Sequence, residues 1–177
     1  MVVLTEIAEQ STSSTFSTYD YDVFLSFRGI DTRSNFTDHL HKALLEANIH
    51  TFLDDTEIQF GEFLKPELES AIKSSRASII VLSRNYASST WCLDELALIM
   101  EQRRTSKHIV FPIFYHVKPS EVRKQQNSFG DAMAEHKQRM EAETNEEKRS
   151  EWGQKIKQWE KALTKLADLK GEEANGR

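Results

Sequence analysis

The chain reads as an α/β domain of the flavodoxin-like, three-layer kind: a short parallel sheet of four to five strands flanked by helices. Three observations predict it. Short apolar segments rich in β-branched and aromatic residues recur between Tyr21 and Phe114. Helical patterns separate them, and strand-helix alternation specifies parallel pairing with right-handed crossovers. The length, 177 residues and 20.5 kDa, suits one domain with tails and a sizeable core.

Residues 1–20 are polar, with Ser11–Thr18 almost entirely Ser and Thr, and are expected to form a disordered leader. The domain is expected to span residues 21–170. Four strands are predicted: Asp22–Phe27, His50–Leu53, Ser78–Leu82 and Ile109–Phe114. After the first, Phe36, Leu40, Ala43, Leu44 and Ala47 make one apolar helix face, which Asn48 can close. Pro66 fits the first turn of a shorter helix backed by Leu68, Ala71 and Ile72. Leu93, Leu96, Ala97 and Met100 predict the helix after the third strand. Ser128 is expected to cap a further helix with Asp131 at the capping-box position. An acidic connection around Glu141–Glu147 then leads to a long helix carrying Trp152, Ile156, Trp159, Leu163 and Leu166. No fifth strand is evident in the pattern, and residues 171–177, GEEANGR, read as a frayed tail.

Composition narrows the function. With 23 Lys and Arg against 28 Asp and Glu, the net charge of -5 argues against a dominant nucleic-acid surface. No apolar run approaches the length of a membrane-spanning helix, and MVVLTEIAEQ lacks the basic start of a secretory signal. A single cysteine, Cys92, can form no internal disulfide. These features predict a cytoplasmic chain, with the nucleus also open to it.

The stretch Ser83–Leu96, SRNYASSTWCLDEL, follows a strand with the composition of a buried parallel strand, Ser78–Leu82. The loop after such a strand lies at the carboxyl edge of the sheet, where open α/β folds bind ligands. Glu95 stands there near a helix start, either as a reactive carboxylate or as a charge favoured by the helix dipole. Trp91 can cover a ligand ring or fill the core. Arg28, after the first strand, can reach the same edge as a bidentate donor or pair with Asp31, Asp54 or Asp55. Gly29 permits close backbone approach or a tight turn. The usual phosphate-cradling glycine loops are absent, and Asp20 and Asp22 sit at the wrong end of the first strand for a phospho-acceptor pocket. No metal site is expected, because His39 and His41 point to nearly opposite helix faces. Cys92 reads as a structural thiol.

Several long motifs then match a known family in order. They are Tyr21–Gly29 followed by Asp31-Thr32-Arg33; Gly61-Glu62 with Pro66 and Leu68; Asn85–Ser89 through Trp91–Leu96; Phe111–Tyr115; and Pro119-Ser120 with Val122-Arg123. Together, from about Tyr21 to Gly171, they resemble the Toll/interleukin receptor (TIR) domains of plant intracellular immune receptors. The resemblance implies a self-associating signalling module that cleaves NAD⁺ or NADP⁺ at the nicotinamide glycosidic bond when assembled, the nucleotide being substrate and no cofactor being needed. It implies Glu95 as the catalytic carboxylate, with Arg28, Gly29, Ile58 and Trp91 at the nucleotide, and residues 54–64 as a loop beside the site. Asp38, His39, Lys118 and Arg123 fall at the family's self-association surfaces. The expected partners are other copies of the chain, weakly bound when the domain is isolated, and other TIR domains. The alternative is a non-catalytic adaptor that signals by TIR-TIR contact alone.

Departures from the family pattern concern assembly and, at Phe60, the nucleotide. Asp38-His39 replaces a common Ser-His pair, Phe60 replaces a basic residue before Gly61, and Ile30 replaces a common Glu. Lys118 stands in place of Asp, and Asn127 in place of Gly.

Overall fold

A computed structural model of the chain describes residues 18–53 and 66–175. Five strands of the described residues form one parallel sheet in the order β2-β1-β3-β4-β5. They are β1 (Tyr21–Phe27), β2 (Thr51–Leu53), β3 (Ser75–Leu82), β4 (Ile109–Tyr115) and β5 (Glu172–Ala174). This is the flavodoxin-like strand order, and its direction reverses between β1 and β3. Those two strands pair from Tyr21 with Ser75 to Phe27 with Val81, and β3 pairs with β4 from Ala77 with Ile109 to Leu82 with Phe114. At the amino edge the Asp22 carboxylate accepts the His50 backbone N–H at 2.8 Å, tying down the approach to β2.

The period-two alternation of the central strands divides the core. Val23, Leu25 and Phe27 of β1 and Ala77, Ile79 and Val81 of β3 face one side, against Leu44, Phe36 and Leu40 of α2 (Phe36–Glu46). Phe24, Ile80 and Leu82 face the other, where the remaining long helices pack. These are α3 (Pro66–Lys73), α4 (Thr90–Thr105), α6 (Ser128–Ala142) and α7 (Glu146–Ala167). The one-turn helices α1 (Gly29–Thr32) and α5 (Pro119–Arg123) follow β1 and β4. Ile156, Trp159, Leu163 and Leu166 make the buried stripe of α7, and Trp152 meets Trp159 edge-on at 5.9 Å.

Three expectations change. Residues 172–174 form a strand: β5 pairs in parallel with Ile113–Tyr115 of β4. Its polar sequence hides it, because backbone pairing, and not an apolar face, recruits it to the sheet edge. Gly171 permits the approach, since a Cβ there would lie 2.3 Å from the Pro112 carbonyl oxygen. Ser128 is the first helical residue of α6 and not its cap; Asn127 precedes it at φ 54° and makes no capping bond, its side chain donating instead to Glu121 at 2.7 Å. The acidic connection shrinks to residues 143–145, with Asn145 Oδ1 capping α7 through the Lys148 N–H.

Candidate active site

The strand order reverses between β1 and β3, the place where open α/β sheets bind ligands at the carboxyl ends of their strands, and the loops leaving those two strands meet there. Asp31, in α1 just beyond β1, joins them. Its carboxylate accepts the Ser83 hydroxyl, the Asn85 backbone N–H at 2.9 Å and the Asn85 side-chain amide at 2.8 Å. A single turn of 3₁₀ helix, Tyr86–Ser88, follows, and its Ala87 carbonyl accepts from His136 Nε2 of α6 at 2.8 Å. Ser89 then caps α4, its hydroxyl accepting the Cys92 N–H at 3.2 Å.

Glu95 lies in the second turn of α4, and the first turn of that helix carries no acidic residue. The dipole acts within the first turn, so a helix-start charge does not account for this carboxylate. It points inward to the sheet edge and is 3% exposed. Oε2 accepts the Ser26 hydroxyl of β1 at 2.6 Å, and Oε1 accepts the Trp91 indole N–H at 3.1 Å. Ser26 Oγ also lies 2.8 Å from the Tyr86 hydroxyl, which donates to the Cys92 carbonyl at 3.0 Å. Charged groups are rarely buried unless bonded, and this one has a donor on each oxygen.

The neighbouring acid behaves differently. Asp94 faces the helix layer, accepting from Trp159 Nε1 at 3.1 Å and lying 3.4 Å from Lys155 Nζ. Desolvation pushes its pKa up, against the opposing pull of Lys155. Of the adjacent pair, Asp94 holds helices together and Glu95 faces the carboxyl end of β1.

The other sequence-predicted residues divide. Arg28 stands at the end of β1, with its Nε buried and without a hydrogen-bond partner among the described residues. The oxygens of Asp31 are bonded instead to Ser83 and Asn85. Gly29 opens α1, and a Cβ there would press on the far end of the Arg33 side chain, the nearest atom being 2.9 Å away. Trp91 is 1% exposed and packs in the core, with its indole N–H on Glu95. Ile58 and the rest of the loop at residues 54–65 lie outside the described residues. Burial, and next the charge of Glu95, push the Cys92 thiol up to about 12; with its Sγ 3.6 Å from the Phe27 carbonyl, it is a core thiol.

Asp38, His39, Lys118 and Arg123 are carried by α2 and α5 rather than by the loops that meet at Glu95. Asp38 pairs with Lys42 at 2.8 Å, which holds its carboxyl below the usual range, and His39 is exposed. Lys118 stands at the N-cap position just before α5, its backbone N–H donating to the Glu121 carboxylate at 3.1 Å. Arg123 binds the end of α7, meeting Asp168 at 2.7 Å and the Ala167 carbonyl at 3.0 Å, so its guanidinium already has an intramolecular role. Among the described residues, no group of three or more His, Cys, Asp and Glu residues is arranged to hold a metal ion.

Sequence reading passed over Ser26, Tyr86 and Asp31 as site residues. The signal for Ser26 is its place inside an otherwise apolar central strand, where a hydroxyl needs a buried partner.

Comparison with known proteins adds a family. A family model described as TIR domain matches residues 20–175. Disease resistance protein RPV1 of Vitis rotundifolia is 52% identical over 164 residues, covering 93% of this chain and 11% of its own length. TMV resistance protein N of Nicotiana glutinosa is 45% identical over 161 residues, covering 91% of this chain and 13% of its own. The chain thus spans about a tenth of the length of these curated relatives. Among solved structures, the TIR domains of the activated Roq1 resistosome, which directly recognizes the pathogen effector XopQ, superpose with a TM-score of 0.74 at 44% identity, covering 87% of each chain.

Proposed function

The chain belongs to the TIR domain family, and on that premise we propose that it is a self-associating plant immune signalling domain that hydrolyses NAD⁺, or NADP⁺, at the nicotinamide glycosidic bond when assembled. The observation that carries the reading is Glu95, a buried carboxylate with a donor on each oxygen, at the point where the sheet reverses its strand order.

The chemistry suits one carboxylate. Nicotinamide leaves as a neutral base from an already cationic ring, so the leaving group needs no general acid. Positive charge develops on the ribose, and a fixed anion stabilises it more strongly in a site that excludes water. Glu95 takes that role, and water adds to the ribose carbon to complete hydrolysis. Arg28, at the mouth of β1, is assigned to the diphosphate, with the Gly29 backbone beside it. Trp91 acts by orienting Glu95.

Assembly is proposed on the likeness to the Roq1 TIR domains, which belong to an activated resistosome. The α2 surface bearing Asp38 and His39 is assigned to contacts between copies, and the α5 region with Lys118 and Arg123 to a second contact. Exposed Leu45 on α2, 50% accessible, adds apolar area to the first. A cytoplasmic or nuclear setting fits the reduced, unpaired Cys92.

One observation favours a second reading, signalling by homotypic contact alone: Glu95 is only 3% exposed. Incubating concentrated protein with NAD⁺ and following nicotinamide release separates the two. The hydrolytic reading predicts release by wild type and a loss of about 100-fold or more in Glu95→Ala, as when a principal charge-stabilising group is removed. Equal rates contradict it.

A further inference from the structure

We infer that Ser26 and Tyr86 form a positioning pair for Glu95, the Tyr86 hydroxyl orienting the Ser26 hydroxyl and the Ser26 hydroxyl fixing Oε2 of the carboxylate. The inference rests on the hydrolytic reading of Glu95 and adds two residues to it.

The three groups come from three separate parts of the fold. Ser26 is the penultimate residue of β1, Tyr86 opens the 3₁₀ turn after β3, and Glu95 lies on α4. They are 1%, 0% and 3% exposed. At that depth water does not readily replace a lost hydroxyl partner, so each of these bonds helps to set the geometry.

Counting protons fixes the Ser26 end of the chain. An ionised carboxylate only accepts, so Ser26 gives its single proton to Glu95 across 2.6 Å. Its oxygen can then only accept across the 2.8 Å to Tyr86. Tyr86 has one proton for two acceptors, Ser26 and the Cys92 carbonyl, the latter 3.0 Å away on the helix that carries Glu95. With the Tyr86 proton on the Ser26 side, the bonds run in one direction from tyrosine to serine to carboxylate, and each polarises the next.

The carboxylate needs two anchors. Its terminal torsion is broad and roughly two-fold, so a single bond leaves the plane of the oxygens poorly defined. Trp91 Nε1 anchors Oε1, and Ser26 anchors Oε2 from the opposite element. A central parallel strand favours apolar residues at buried positions, and Val23, Phe24, Leu25 and Phe27 of β1 conform. Ser26 departs from that pattern at the position that meets Glu95.

The test compares artificially clustered wild type, Ser26→Ala, Tyr86→Phe, the double variant and Glu95→Ala for nicotinamide release from NAD⁺. Thermal unfolding of each variant checks the fold. Ser26→Ala is expected to lower kcat by about 10- to 100-fold, the cost of misplacing a reacting group, while KM stays within about twofold. Tyr86→Phe keeps the ring and is expected to lower kcat by about 3- to 10-fold. Because Tyr86 acts through Ser26, the double variant should be no slower than Ser26→Ala alone. Wild-type kcat in either single variant, losses that multiply in the double variant, or an effect confined to KM would overturn the positioning role. If Ser26→Ala does not fold, kcat in Tyr86→Phe decides alone. Wild type as slow as Glu95→Ala overturns the hydrolytic reading, and the pair's role with it.

Discussion

A carboxylate in the second turn of a helix gains little from the helix dipole, and burial to 3% exposure costs free energy unless donors compensate. Glu95 meets that condition through Ser26 and Trp91, while Asp94 beside it turns to α7. Rotation along the helix thus sends two adjacent acids to different layers. Asp31 works on the scaffold around them, fastening the loop after β1 to the loop after β3 by three hydrogen bonds. Bonds to a charged acceptor contribute about 1.5 to 3 kcal/mol each when part-buried, and less where solvent competes. Asp31→Ala is therefore expected to lower unfolding stability by about 2 kcal/mol in urea titration. A change below about 0.5 kcal/mol would contradict the clamp. Sequence alone placed Glu95 at the sheet edge but left its role divided between charge and chemistry. The direction of its side chain was not legible there, because a tertiary contact with β1, 69 residues away, has no local signature.

At the level of elements, the strands and long helices were legible because their apolar periods are strong. β5 was not, since Glu172-Glu173-Ala174 has neither alternation nor β-branched residues and joins only because β4 offers an edge. The start of β4 holds another buried contact. His108 Nδ1 donates to the Ser75 carbonyl at 3.1 Å, and Nε2 lies 2.7 Å from the Ser78 hydroxyl, so the neutral ring bridges β3 and β4. Burial lowers its pKa from 6.5 to about 4, against a smaller opposing effect of the Ser75 bond. Between those values the unfolded chain binds the proton and the folded chain does not. Stability from this ring is thus fully present above pH 6.5 and is lost as pH falls towards 4. Wild type is expected to lose roughly 3 kcal/mol more than His108→Gln across that window, at about 1.4 kcal/mol for each pH unit between the two values. Parallel pH profiles of the two unfolding free energies would contradict it.

For the whole molecule, the strand order places the candidate site and the family supplies the expectation of assembly. The surfaces assigned to association have intramolecular partners in the single chain: Asp38 with Lys42, and Arg123 with Asp168. Both pairs are exposed, and such pairs contribute little, so they yield readily to contacts between copies. Weak association of the isolated domain is the expected outcome in light scattering across a concentration series, with local concentration governing how much assembles. The departures at Asp38 and Lys118 were legible in the sequence, but their effect depends on a partner surface that one chain does not contain. The decisive measurement is nicotinamide release from NAD⁺ per molecule, followed as the domain is clustered at increasing density on a scaffold, for wild type and Glu95→Ala together. The rate is expected to rise with density in wild type and to stay at background in Glu95→Ala. A wild-type rate that remains at the Glu95→Ala background at every density would contradict it.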